Sequence, residues 1–150
     1  MVERVASWRR AARAVGPAVL RAVTAAAVLL SADIHLQLWA SGYRAIPVIG
    51  PLFLLNTAGG LVLGTALLLG RYRPIALAAA GFGALTLAAF VVSATAGLFG
   101  VRESLAGAPE RLSVAADVVA ILGGVELAAL PARADRADRT GWRRGARLGR

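Results

Sequence analysis

The side chains of this chain that could do chemistry are few, and they stand inside apolar sequence. The stretch Ser31-Ala32-Asp33-Ile34-His35-Leu36-Gln37-Leu38-Trp39 holds an acid, the single histidine and an amide at the end of a run too apolar for water. Asn56 falls early in a second apolar run, and Asp117 and Glu126 interrupt the last one. A carboxylate in such surroundings can carry a proton, hold a cation or bond a neighbouring helix. An imidazole can ligate a metal or a haem iron. Helical geometry decides which of these groups can act together. At ~100° per residue, Asp33 and Gln37 share a face, while His35 lies about 200° from Asp33 and shares a face with Ser31 and Trp39. One regular helix therefore cannot aim Asp33 and His35 at the same ion. By the same rule Asp117 and Glu126 point to opposite sides of their helix and cannot form one site by themselves.

The absence of cysteine removes disulfides, thiolate metal sites and thiol nucleophiles. No Ser-His-Asp spacing, phosphate loop or metal-binding helix motif stands out, so no enzymatic activity is expected. A single histidine makes an all-protein zinc or copper site poor, and a bis-histidine haem would need two chains. No cofactor is expected, with haem or metal at His35 the weakest of the readings.

The elements that must position these groups follow from hydropathy. The chain is 58% apolar with a mean hydropathy of +0.68 over 150 residues, more than a soluble domain carries. A bilayer core of ~30 Å needs about 20 helical residues. The runs 17–40, 51–70, 74–99 and 113–131 have that length, and the two middle ones contain no charge. Lipid offers backbone groups no partner outside a helix or a closed barrel, and the alternation of barrel strands is missing. The expected fold is all-α: a single domain, 1–150, built as a four-transmembrane-helix bundle.

All 17 basic residues are arginine. Fourteen lie on the side of the bilayer that holds both ends of the chain and three on the other. The positive-inside bias then places both termini in the cytoplasm of a cell whose plasma membrane holds the protein. The N-terminal apolar run is long and leads into Asp33 rather than a small-residue cleavage site, so it reads as an uncleaved span and not a signal peptide. Because the arginines sit on short tails and loops, the net charge of +9 points to anionic lipid rather than to nucleic acid.

Along the chain, residues 2–15 space Val2, Val5, Trp8, Ala12 and Val15 as a short basic amphipathic helix at the membrane interface, and Pro17 suits the first turn of the next helix. Arg21 can snorkel to the inner surface, and Trp39 and Tyr43 fit the outer aromatic belt. That sets Asp33 roughly 12 Å and His35 roughly 9 Å below the outer boundary. Gly60-x-x-x-Gly64 allows close helix approach, either within the bundle or between copies. Ser113 can cap the fourth helix, and Glu126 stands at a depth close to Arg21, which makes an internal ion pair of the two. Residues 132–150 read as a basic interfacial tail.

The residues Asp33-Ile34-His35-Leu36-x-Leu38-Trp39, followed by Gly42-Tyr43-Arg44-x-Ile46-Pro47-x-Ile49-Gly50-Pro51-Leu52-Phe53-Leu54-Leu55-Asn56, resemble a family of small four-span membrane proteins of high-GC Gram-positive (actinobacterial) type. The lysine-free, alanine- and arginine-rich composition is similar to such proteomes. The resemblance covers about the first third of the chain and implies fold and membrane location without an activity.

Depth then gathers Asp33, Gln37, Asn56, Ser93, Thr95 and Asp117 in the outer third of the bundle, with His35 nearby. Three classes of function could use such a set. An accessory protein would bond a larger membrane partner or a second copy of itself. A small oligomeric transporter or proton conductor would titrate Asp33 or Asp117. A redox protein would ligate through His35. The accessory reading explains best the small size, the glycine faces and the missing catalytic motif.

Overall fold

The computed structural model describes residues 2–70 and 73–130, with the side chains of residues 2–15 outside that description. Four α-helices make up almost all of it: α1 Val2–Ser41, α2 Ile49–Leu69, α3 Arg73–Thr95 and α4 Ala108–Ala129. A short 3-10 turn, Tyr43–Ala45, links α1 to α2. Each helix contains a span long and apolar enough to cross a bilayer, that of α1 being Gly16–Ser41. The chain is an integral, multi-pass membrane protein.

Around the bundle the helices run in the order α2, α1, α4, α3. The pairs α1–α2, α1–α4 and α3–α4 pack along their lengths, while α2 and α3 touch little and leave a cleft. One end of the bundle carries both longer connections, α1–α2 and α3–α4, and is called the connector end here.

Small residues set how close the helices come. The buried core is dominated by alanine (Ala25, Ala27, Ala32, Ala79, Ala120), and Val28 is the largest side chain fully enclosed. Gly60 and Gly64 are buried on α2 where it meets α1. A Cβ at Gly60 would lie 2.7 Å from the Ala32 Cβ, and one at Gly64 would lie 2.6 Å from Leu29 Cγ. On the other seam, a Cβ at Gly83 would lie 2.6 Å from the Asp117 carbonyl oxygen, and one at Gly124 would lie 2.6 Å from the Ala76 carbonyl oxygen. Gly123 meets Thr24 of α1 in the same way. Lipid tails are as apolar as leucine, so burying leucine inside gains little, whereas close backbone contact gains dispersion energy. The large apolar residues accordingly point outward: Leu85 is 75% exposed and Leu55 and Val62 are each 67% exposed.

α2 starts at Ile49, two residues ahead of the run at 51, and three further boundaries differ from the hydropathy reading. First, α1 is continuous from Val2 through Pro17, so segment 2–15 is not a separate helix that ends at the proline. Second, α3 stops at Thr95 rather than 99. The chain leaves it through Gly97, at φ 84°, into a tight turn in which Leu98 and Val101 exchange backbone hydrogen bonds of 2.8 and 2.9 Å. Phe99 and Gly100 form the two-residue tip with φ of 49° and 84°, the paired positive values such a tip requires and which glycine supplies without strain. Third, α4 starts at Ala108, with Gly107 as N-cap and Pro109 in its first turn. Proline suits that position because its missing N–H would have no helical partner there. Ser113 is therefore not a cap but a buried residue inside the helix. The tail 132–150 lies outside the described residues.

The glycine seams make a direct prediction. Gly83→Ala should lower stability by about 1–3 kcal/mol, because the added methyl meets backbone that cannot rotate away. Gly81, two residues along, has nothing within 4 Å of a Cβ, and Gly81→Ala should be neutral or stabilising by up to about 1 kcal/mol. Unfolding in mixed micelles reads both.

Candidate functional site

The structure distributes the polar residues of the connector third over separate pairings rather than one constellation. The innermost joins α1 to α4. Ser31 Oγ donates to Asp117 Oδ1 at 2.8 Å, with Ser31 at 0% and Asp117 at 1% exposure. One turn along α1, His35 Nδ1 lies 2.8 Å from the Ser31 carbonyl oxygen. A carbonyl only accepts, so Nδ1 carries the proton and Nε2 is the nitrogen left over. The His35 ring meets Phe53 edge-on at 5.0 Å between centroids, and Tyr43 stacks on Phe53 at 5.0 Å. Burial pushes the Tyr43 hydroxyl up to about 12, and the carboxylates of Glu103 and Glu110 add to that shift. Tyr43 is thus a neutral phenol at any physiological pH.

A second pairing faces away from the bundle. Gln37 Nε2 donates to Asp33 Oδ2 at 2.6 Å, and both residues are exposed. The helical arithmetic that set Asp33 and His35 on different faces describes the arrangement: Asp33 points outward while His35 is packed on Phe53. Asp33 and Asp117 do not converge.

The third pairing bridges the α2–α3 cleft. Asn56 Nδ2 donates to Thr86 Oγ1 at 2.7 Å, and Thr86 Oγ1 donates to the Phe82 carbonyl oxygen at 3.0 Å. Beside it, Thr57 Oγ1 donates to its own helix at Phe53 (2.9 Å) and reaches the Ala32 carbonyl oxygen of α1 at 3.2 Å. Ser93 is buried and donates to the Val101 carbonyl oxygen at 3.0 Å, tying the 98–101 turn down onto α3. Thr95 is exposed and bonds only the preceding turn of its own helix.

Beneath that turn, the cleft holds a cavity of about 380 Å³. Its wall is mainly apolar, from Phe53, Phe82, Leu85 and Phe90, with Asn56, Thr86 and Ser93 as polar points along it. His35, Ser113, Glu103 on the loop and Glu110 in the first turn of α4 also line it. Asp117 is not among the lining residues.

At the opposite end, Arg21 is half-buried on α1 and Glu126 is exposed on α4. The Gly123–Thr24 contact sets the two residues at matching depth, yet the described residues contain no ion pair between them within 4.0 Å. The expected internal pair is absent because Glu126 turns to the outside of the bundle. Among the described residues no three His, Asp or Glu side chains stand close enough to hold a metal ion.

Ser31 and Thr86, the partners that complete two of these pairings, escape a reading of the sequence. Ser31 stands out only as a face-mate of His35. Thr86 is 30 residues from Asn56, and only its matching depth on the next helix could have suggested it. Glu103 and Glu110 lie outside the four apolar runs and so carry no sign in the sequence that they line a cavity. No known protein family, curated protein or solved structure matches the chain.

The Ser31–Asp117 bond generates a stability prediction. Ser31→Ala leaves a buried carboxyl without its donor and should destabilise the bundle by about 1–3 kcal/mol. In an Asp117→Ala background the same change should cost less, with a coupling of roughly 0.6–1.7 kcal/mol, read by unfolding all four variants in mixed micelles.

Proposed function

We propose that the protein is an accessory component of a membrane assembly, docking a partner helix along the outward face of α1. The observation that carries this reading is the Asp33–Gln37 pair. These two residues are exposed on a spanning helix, about 12 Å from its connector end at ~1.5 Å per residue. An acid facing lipid at such depth costs on the order of 2.5–3.5 kcal/mol, and the bond to Gln37 satisfies only one of its oxygens. The pair belongs to a stripe. Val19, Val23, Ala26, Leu30, Asp33 and Gln37 are all exposed and recur at alternating intervals of four and three, the spacing by which one helix seats along another.

Chemistry narrows the partner. Two copies meeting symmetrically through this face would bring Asp33 against Asp33, a like-charge contact that costs energy. A partner span bearing arginine, lysine or an amide at the matching depth supplies the missing donors instead. The arginine distribution supports a plasma-membrane location with both termini cytoplasmic, where the basic ends meet anionic lipid. The transport reading would need an intramembrane carboxyl that meets a path. Asp117, the enclosed one, is bonded by Ser31 and stands outside the lining of the cavity.

The test is isolation of the tagged protein in a mild detergent, with the co-isolated chains identified. A stoichiometric membrane partner is expected, and Asp33→Ala with Gln37→Ala should reduce its recovery at least tenfold. Because both side chains are exposed, the double variant should keep its own stability within about 0.5 kcal/mol. Recovery of the protein alone, or a partner retained by the double variant, would sink this reading.

A further inference from the structure

The two connectors at one end of the bundle carry a second inference, independent of the outward face of α1. Among the described residues, two that are not glycine hold a positive φ: Val48 at 70° and Phe99 at 49°. One stands on each connector, and both are apolar side chains left exposed, Val48 at 46% and Phe99 at 59%.

Packing and hydrogen bonds explain why the chain turns at these places. The Ile49 N–H donates to the Pro47 carbonyl oxygen at 2.9 Å. This closes a γ-turn with Val48 at φ 70° and ψ −52°, the rare and strained form of that turn. Ile49 and Gly50 behind it are buried, and a Cβ at Gly50 would stand 2.9 Å from the Arg44 carbonyl oxygen. On the other connector, Leu98 and Val101 close the tip, and Ser93 Oγ holds Val101 at the level of the last turn of α3. None of these contacts explains the residues at the two tips. Glycine takes a positive φ without penalty and asparagine tolerates it, whereas a β-branched or bulky residue there is an outlier. An enclosed side chain could offset such strain by packing within the chain. Val48 and Phe99 are not enclosed, so the offset has to come from outside it.

Lipid is what the neighbouring residues already face. Val48, Leu52 and Leu55 are all exposed and follow one another at intervals of four and three, so Val48 extends the outer stripe of α2 by one turn. Phe99 stands just beyond Val91 and Val92, exposed near the end of α3. An exposed arginine accompanies each tip, Arg44 and Arg102. A guanidinium on its long stem can reach headgroup phosphate while an apolar neighbour sits deeper.

We propose that the two connectors are lipid anchors: Val48 and Phe99 insert into the interface of the leaflet at the connector end and fix the depth at which the bundle sits. A tip standing in water would gain from glycine or asparagine at both positions. A tip in the interface gains from valine and phenylalanine, through the apolar area each removes from water. The connector end is then a surface that meets the bilayer rather than a soluble partner.

The chain has no cysteine, so a single one can be introduced and spin-labelled. The test compares the access of oxygen, which concentrates in lipid, with that of a water-soluble nickel chelate in phosphatidylcholine vesicles holding the full chain. Val48→Cys and Phe99→Cys report the tips, and Ser104→Cys, exposed on the α3–α4 loop, is the aqueous reference. The oxygen-to-nickel ratio at both tips should exceed that of the reference by about fivefold or more. A label at Thr95→Cys, exposed on the last turn of α3, then reports the depth of the bundle. Val48→Gly with Phe99→Asn suits the backbone at both tips and should leave the helical circular dichroism unchanged. It should also lower the ratio at position 95 by about twofold or more. Tips as open to nickel as the reference, or a ratio at position 95 unmoved by the double substitution, would overturn the proposal and leave the tips to a soluble partner.

Discussion

Close approach of helix backbones is the constraint on which the rest of this structure depends. In a bilayer the expulsion of apolar side chains from water is already complete once the helices are inserted, so their association rests on packing density and on hydrogen bonds between them. Here Gly60 and Gly64 bring α2 onto α1, while Gly83 and Gly124 bring α3 and α4 together. Alanine fills what remains of those two contacts. Because the contacts are made by backbone rather than by flexible side chains, they fix the relative heights of the helices. Ser31 meets Asp117 at 2.8 Å because the α1–α4 seam has set those heights.

The same constraint explains why the polar groups separate. Each helix has one face narrow enough for a neighbour's backbone and others that cannot be approached so closely. Asp117 lies on the close face of α4 and is enclosed, with Ser31 as its donor. Asp33 lies on the free face of α1, where only Gln37, on the same helix, can reach it. Between α2 and α3 the seam of small residues is missing. Phe53, Phe82 and Phe90 occupy that side instead, and the two helices stand apart around a cavity. A single hydrogen bond between side chains, Asn56 to Thr86, crosses it. The enclosed bond, the outward pair and the open cleft are three consequences of where bulk replaces glycine.

The connector end converts that packing into a shaped pocket. The 98–101 turn is held to α3 by Ser93 and presents Leu98 and Val101 to the cavity. The early start of α4 at Ala108 brings Glu110 into a helical turn, with its side chain folded over Gly107. Had α4 begun at Ser113, Glu110 would have belonged to a loop with no fixed relation to the cleft. Tyr43 and Phe53 close the α1–α2 side of the same end by stacking.

Much of this was legible in the residues themselves. Four apolar runs of spanning length establish four membrane helices, because a bilayer leaves the backbone no other satisfied conformation. The i, i+4 spacing of Asp33 and Gln37, and the opposed facing of Asp33 and His35, are likewise properties of a single helix and follow from its period. What lies between helices was not legible. The order α2, α1, α4, α3 around the bundle, the partnership of Ser31 with Asp117 and the gap left by α2 and α3 depend on rotation and height. Hydropathy carries neither, because every face of a span can be apolar whether it meets lipid or another helix. Only the tertiary structure, through the positions at which a missing Cβ lets two backbones meet, decided which polar groups are enclosed, which look outward and which line a cavity.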